Sequence, residues 1–244
     1  MTDPWLKPPS TPDSPVLLYC IAHAGGGAGF FRAWPGSLAP EVGVCAVVLP
    51  GRETRLRETP LTTVADIVTP LADAVRAHAD RPYALFGHSM GAVVAYEVAR
   101  RLTTAPRPPL RLFVSGRRAP HLPARRAPLH PLAHDEFLDA VAAMGGTPRE
   151  VLDQQDLMRL FLPGLRADFA VNETYHPLPG PVLDCPVSAL TGDADPEVSV
   201  PEMRRWAEVT TGPFRLRVFP GGHFYHAGPP AALTAALRTD LTDP

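Results

Sequence analysis

The stretch YALFGHSMGAVVAYEVARRL, residues 83–102, decides the architecture. Its first five residues are apolar without alternation, which suits a strand covered on both faces in a parallel sheet. Small and polar residues follow, and from Met90 onward the apolar positions fall at helical spacing. The junction GHSMG, Gly87 to Gly91, has the G-x-S-x-G pattern. That pattern is weak alone but gains meaning between a strand and a helix. A turn this sharp strains the backbone at Ser89 and admits only small neighbours, supplied by Gly87 and Gly91. The hydroxyl is thereby expected to stand clear of the sheet at the start of a helix.

Five further apolar runs flank this unit: VLLYCIA (16–22), VCAVVLP (44–50), LRLFVSG (110–116), CPVSALTG (185–192) and FRLRVFPGG (214–222). Between them, Val64, Ile67, Val68, Leu71 and Val75 mark a helix capped by Thr63 and interrupted at Pro70, and PPAALTAALRTDL (229–241) marks a last one. Strand and helix alternate, which predicts an α/β fold: a mostly parallel sheet flanked by helices. Residues 1–15 are rich in proline and are expected to form a flexible head, with residues 16–244 forming one domain.

One segment breaks the alternation. Almost seventy residues separate the strand ending at Gly116 from the next, too many for an ordinary crossover. Helical periodicity in HDEFLDAVAAM and QDLMRLFLPGLRADFAV gives two apolar faces, Phe137, Leu138, Val141 and Met144, then Leu157, Met158, Phe161, Leu162, Leu165 and Phe169. A helical lid at about residues 117–180 is expected, with Met158 and Phe161 lining an acyl channel; helices that merely complete the core are the plainer alternative.

A serine hydroxyl needs a base, and the base an orienting acceptor. In a strand-turn-helix serine enzyme these follow in the order serine, acid, histidine. GGHFYH (221–226) offers His223, directly after the last strand, and His226 as rival. LTGDADPEV (190–198) offers Asp195, favoured because three residues beyond Gly192 it can reach the histidine loop, and Asp193, which suits tying down the turn. Backbone N–H donors for an oxyanion are expected from Met90 and, in the loop HAGGGAG (23–29), from Ala24. That loop lacks the G-K-[ST] ending of a phosphate loop.

Together these residues resemble the type II thioesterases, the free-standing editing enzymes of modular polyketide synthases and nonribosomal peptide synthetases, within the α/β-hydrolase fold. The shared signatures are HAGGGAG, LPGRETRLRE (49–58), GHSMGAVVAYEVAR, FVSGRRAP (113–120), MGGTPREVL (144–152), LRADFAVNETY (165–175), LTGDADPEV and GGHFYH. The resemblance implies a triad of Ser89, Asp195 and His223, an oxyanion hole from Ala24 and Met90, and a mobile lid over a phosphopantetheine channel. It implies hydrolysis of acyl thioesters on acyl or peptidyl carrier proteins, in pathways that make compounds such as antibiotics. Four arginines at the root of the lid, Arg117, Arg118, Arg125 and Arg126, are then the expected docking site for an acidic carrier. A carboxylesterase, a product-releasing thioesterase and a non-catalytic interaction protein are the alternatives.

Composition agrees with this reading. The chain has 244 residues, 45% apolar and 20% charged, the balance of a soluble globular protein. Lysine and arginine number 23 and aspartate and glutamate 25, so the formal charge of −2 selects neither nucleic acid nor an anionic membrane. No signal peptide or membrane span is legible, and Cys20, Cys45 and Cys185 are expected as free thiols, which places the protein in the cytoplasm. A chain that starts at Met1 and ends soon after its last helix is expected to stand alone. The chemistry calls for no metal and no cofactor.

Overall fold

A computed structural model of the chain describes residues 3–145, 154–226 and 231–242. Six parallel strands form one sheet in the order β2-β1-β3-β4-β5-β6: β1 (Val16–Ile21), β2 (Val42–Ala46), β3 (Tyr83–His88), β4 (Leu112–Ser115), β5 (Val187–Gly192) and β6 (Phe214–Phe219). Residues 1–2, 146–153, 227–230 and 243–244 lie outside this description, and with them most of the MGGTPREVL signature.

Alternate strand residues supply two separate cores. Tyr19, Ile21, Leu85, Val114 and Ala189 face α2 (Val64–His78) and α3 (Met90–Leu102), while Leu18, Cys20, Phe86, Phe113 and Leu190 face α1 (Pro35–Leu38) and the C-terminal helix (Ala231–Thr242). With apolar side chains on both faces, the strands read as unbroken runs. Helix α2 starts where expected, the Thr63 hydroxyl accepting from the Asp66 N–H at 3.2 Å, and it continues through Pro70.

Two expectations shift. Strand β2 begins two residues earlier than the apolar run suggests, pairing with β1 from Val42 opposite Val16, and it ends at Ala46, where the chain's beginning joins the edge: Leu6 bridges Val47 antiparallel, and the Val48 N–H donates to the Trp5 carbonyl at 2.8 Å. The described part of the expected flexible head therefore packs onto the domain, with Trp5 and Leu6 buried and the Arg55 guanidinium over the Trp5 ring at 4.4 Å.

Between β4 and β5 the insertion carries α4 (His134–Ala143) and α5 (Gln155–Glu173), joined through a third apolar cluster of Phe137, Val141, Met158, Leu165 and Phe169. Its return is anchored to α3. The Glu97 carboxylate accepts from the Tyr175 hydroxyl at 2.7 Å and the Leu178 N–H at 3.1 Å, and Arg100 donates to the Leu178 and Pro181 carbonyls. Beyond β5 lie α6 (Val200–Arg204) and, after β6, α7 (Ala231–Thr242), the C-terminal helix already met. Among the described residues no helix is long and apolar enough to cross a membrane.

Candidate active site

Ser89 sits between β3 and α3 at φ 53° and ψ −115°, a conformation that L-residues avoid. Its surroundings enforce it. A Cβ on Gly87 would lie 2.0 Å from the Gly91 carbonyl oxygen, and one on Gly91 would lie 2.3 Å from that of Ile21. The turn closes so tightly that neither position admits a side chain, the physical content of the G-x-S-x-G pattern. Met90 is the first residue of α3, where a helical N–H has no intrahelical acceptor.

Asp195 and His223 approach from the loops after β5 and β6. The His223 Nδ1 lies 2.9 Å from Asp195 Oδ2 and 3.1 Å from Oδ1, with the carboxylate wholly buried and the imidazole 6% exposed. A carboxylate at Nδ1 favours the proton there and leaves Nε2 as the basic nitrogen. Asp195 is itself held by the Glu197 N–H, which donates to Oδ1 at 2.8 Å. Asp193 does other work: its carboxylate accepts from the Gly221 N–H at 2.9 Å and so pins one turn to the other. Among the described residues the rival His226 meets no carboxylate, and both its ring nitrogens are buried without a partner, among Phe30, His88 and Tyr225.

Ser89 and His223 open onto one cavity of about 210 Å³. All four arginines of the insertion's root line it, beside Met144, Asn172, Glu173, Tyr175 and Glu197. They do not form the open basic patch that sequence suggests. Arg125 pairs with Glu202 and Arg126 with Glu197, the latter at 2.9 Å. Nor do Met158 and Phe161 line this cavity: Met158 is buried between α4 and α5, and Phe161 is exposed on the outer side of α5. The side chain of Leu157 lies outside the described residues.

Sequence reasoning assigned no role to two further groups. Asp168 of α5 accepts the Gly25 N–H at 2.7 Å and meets Arg52 at 2.5 Å, while Arg52 donates to the Gly26 carbonyl at 2.6 Å. The loop beside Ala24 is thus hung on one buried ion pair. The Gly26 N–H is committed to the His23 carbonyl. Below the elbow, His88 Nδ1 lies 2.9 Å from the Ser115 hydroxyl, which lies 2.7 Å from that of Tyr225. Burial, aided by neighbouring imidazoles, drives His88 well below the usual histidine range, His226 to about 3 and His23 to about 4, so all three are neutral. A charged Asp168 inside an apolar helical stripe was the available signal for the first group; a histidine within the serine motif was the signal for the second.

A second serine and carboxylate, Ser188 and Asp240, lie 2.8 Å apart, but Ser188 is wholly buried in β5 and the carboxylate is held by Arg215 and Arg217. That cluster tethers α7 to the sheet.

Residues 17–239 match the family described as the thioesterase domain. The chain is 40% identical, with a TM-score of 0.89 and 99% of each chain covered, to the type II thioesterase BorB from the borrelidin biosynthetic cluster. It is 41% identical over 216 residues to thioesterase PikA5 of Streptomyces venezuelae, covering 88% of this chain and 76% of that protein. It is also 37% identical over 240 residues to linear gramicidin dehydrogenase LgrE of Brevibacillus parabrevis, covering 97% and 91%. In the present chain the loop after β1 leads into a four-residue 3-10 helix, Ala28–Phe31, which offers no long helix N-terminus for a dinucleotide's pyrophosphate.

Proposed function

The chain belongs to the thioesterase family, in its type II editing branch, and from that premise we propose that Ser89, His223 and Asp195 are its catalytic triad. Proteins of this family hydrolyse acyl thioesters through a serine nucleophile, and so does this one. What carries the assignment of residues is the Asp195–His223 bond opening onto the cavity that also holds Ser89.

His223 takes the Ser89 proton as the hydroxyl attacks the thioester carbonyl. The oxyanion is received by the N–H groups of Met90 and Ala24, the first at a helix start and the second in the loop fixed by Asp168 and Arg52. Collapse breaks the C–S bond, and the thiol leaves with the proton from His223. Water, activated by the same imidazole, then frees the acid from Ser89.

The substrates are acyl groups on the phosphopantetheine arm of acyl or peptidyl carrier proteins, and the enzyme clears stalled or misprimed ones in the cytoplasm. The carrier approaches the rim formed by Arg125 and Arg126, and the insertion acts as the lid. The test is a fluorophosphonate probe followed by a panel of acyl-carrier proteins: labelling at Ser89 and turnover of acyl carriers are expected. Labelling elsewhere, or none with turnover intact, removes Ser89 from the mechanism.

A further inference from the structure

The serine and histidine of the proposed triad stand on different loops, and one strand residue is bonded to both loops. Ser115 ends β4 and sits opposite His88, the last residue of β3, in the parallel ladder. Its carbonyl accepts the Ser89 N–H at 2.8 Å, which helps hold the elbow in its strained conformation from the neighbouring strand. Its hydroxyl lies 2.7 Å from that of Tyr225, two residues beyond His223.

The loop that carries His223 is therefore fastened on both sides of the imidazole. Before it, the Gly221 N–H donates to Asp193 at 2.9 Å and the Gly221 carbonyl accepts from the Ala194 N–H at 2.9 Å. After it, Tyr225 ties the chain to β4, its ring stacked on Phe219 with centroids 5.1 Å apart. Little slack is left between these anchors: a Cβ on Gly116, the residue after Ser115, would lie 3.1 Å from His223 Cε1 and 2.6 Å from His88 Cε1.

The chemistry of the three side chains suits a tether. Burial, and then the Asp195 charge, push the Tyr225 phenol above its ordinary range, so it keeps its proton. His88 is neutral, and its Nδ1 lies 2.9 Å from the Ser115 Oγ. The Ser115 oxygen can accept from the phenol while its own hydrogen goes to the imidazole, so one hydroxyl is held from two sides. Neither Ser115 nor Tyr225 is among the residues that line the cavity.

We propose that Ser115 and Tyr225 are positioning residues, which set the separation of Ser89 and His223 by fastening the elbow and the base's loop to one point on β4. The proposal rests on the triad reading above, and the two residues act through that triad rather than on the substrate. Proton transfer between Ser89 and His223 depends steeply on their separation. A small shift therefore slows acylation and deacylation while leaving substrate binding alone.

The test assays wild type, Tyr225→Phe, Ser115→Ala and the double variant with butyryl-N-acetylcysteamine thioester. Rates are expressed per site that a fluorophosphonate titrates, so that a loss of folded protein does not count as a loss of rate. Tyr225→Phe removes one oxygen and keeps the ring on Phe219. Its kcat is expected to fall about ten-fold, with KM within roughly two-fold of wild type. Ser115→Ala is expected to fall at least as far, and the double variant no further than Ser115→Ala, because either change cuts the same link. A Tyr225→Phe kcat within roughly two-fold of wild type overturns the proposal, and so does a loss carried by KM. Losses that multiply in the double variant overturn it too. Should Ser115→Ala fail to fold, Tyr225→Phe alone decides. Failure of the parent reading is separate: it shows as turnover of the thioester by Ser89→Ala.

Discussion

Asp168, in the middle of the insertion's long helix, accepts a hydrogen bond from the backbone N–H of Gly25, the residue after Ala24. Its other carboxylate oxygen binds Arg52, which holds the Gly26 carbonyl. The loop after β1 is thus positioned from the insertion, by a side chain 143 residues away in sequence.

Asp168→Ala is expected to lower kcat ten- to a hundred-fold, roughly the effect of misplacing one oxyanion donor, with a smaller change in KM. It also leaves Arg52 buried without its partner, so the melting temperature should fall. Weakened binding of a boronate that mimics the tetrahedral intermediate, with unchanged binding of the free acid, marks a positioning role. Equal losses for both compounds would reduce the pair to a structural one.

The serine's backbone gives a contrast between two inactive variants. Ser89→Gly and Ser89→Ala both lose the nucleophile, but glycine relieves the positive φ that alanine retains. Ser89→Gly should therefore be the more stable by about 1 kcal/mol. Denaturant midpoints for the two, at equal m-values, decide it.

Asp195→Asn is expected to cut kcat by roughly 10² to 10⁴, since the His223 ring loses the carboxylate that fixes its tautomer. Asp193→Asn should act mainly on stability, because its carboxylate ties the turn after β5 to Gly221. Kinetics and melting curves for both variants separate the two roles, and a large kcat loss confined to Asp193→Asn would exchange them.

Acid should destabilise this protein before its carboxylates titrate. The buried imidazoles of His23, near 4, and His226, near 3, stay neutral where those of the unfolded chain, near 6.5, gain protons. Their contribution is complete above about pH 6.5 and is lost as pH falls toward 4 and 3, at about 1.4 kcal/mol per pH unit for each proton. His226→Phe, which keeps an aromatic ring among Phe30 and Tyr225, should flatten the dependence of melting temperature on pH between about 6.5 and 5. An unchanged slope would mean that these rings gain protons without unfolding.

Because Arg125 and Arg126 already face Glu202 and Glu197, carrier docking there must compete with internal carboxylates. Glu197→Gln with Glu202→Gln should raise kcat/KM for an acyl-carrier substrate several-fold and steepen its salt dependence; glutamine also preserves the cap on Ser199. Reversal of both arginines to glutamate should do the opposite. A short acyl-cysteamine thioester should respond little to either change, and a carrier substrate that responds as little places docking elsewhere.

The fold was legible because its strands are short, apolar on both faces and separated by helices with clear periodicity. GHSMG showed the elbow directly, since a turn excluding every Cβ at Gly87 and Gly91 leaves a local trace in sequence. What sequence could not give was partnership between distant segments. Phe161 and Met158 share an apolar stripe, yet one faces out and the other fills the insertion's own core, because α4 covers only part of that stripe. Arg125 and Arg126 looked like a free patch because Glu197 and Glu202 lie more than seventy residues away.

The insertion leaves the sheet at Gly116 and returns to it at β5, and β4 and β5 pair directly, Leu112 against Val187 through Ser115 against Leu190. Strand pairing is therefore complete without it, while residues 117–128 and 172–175 supply most of the cavity's wall. The strand ladder and most of the cavity wall are thus written in different stretches of the chain. Substitutions in that wall can change which acyl groups fit without breaking a single strand pair of the sheet that holds the serine and the histidine in place.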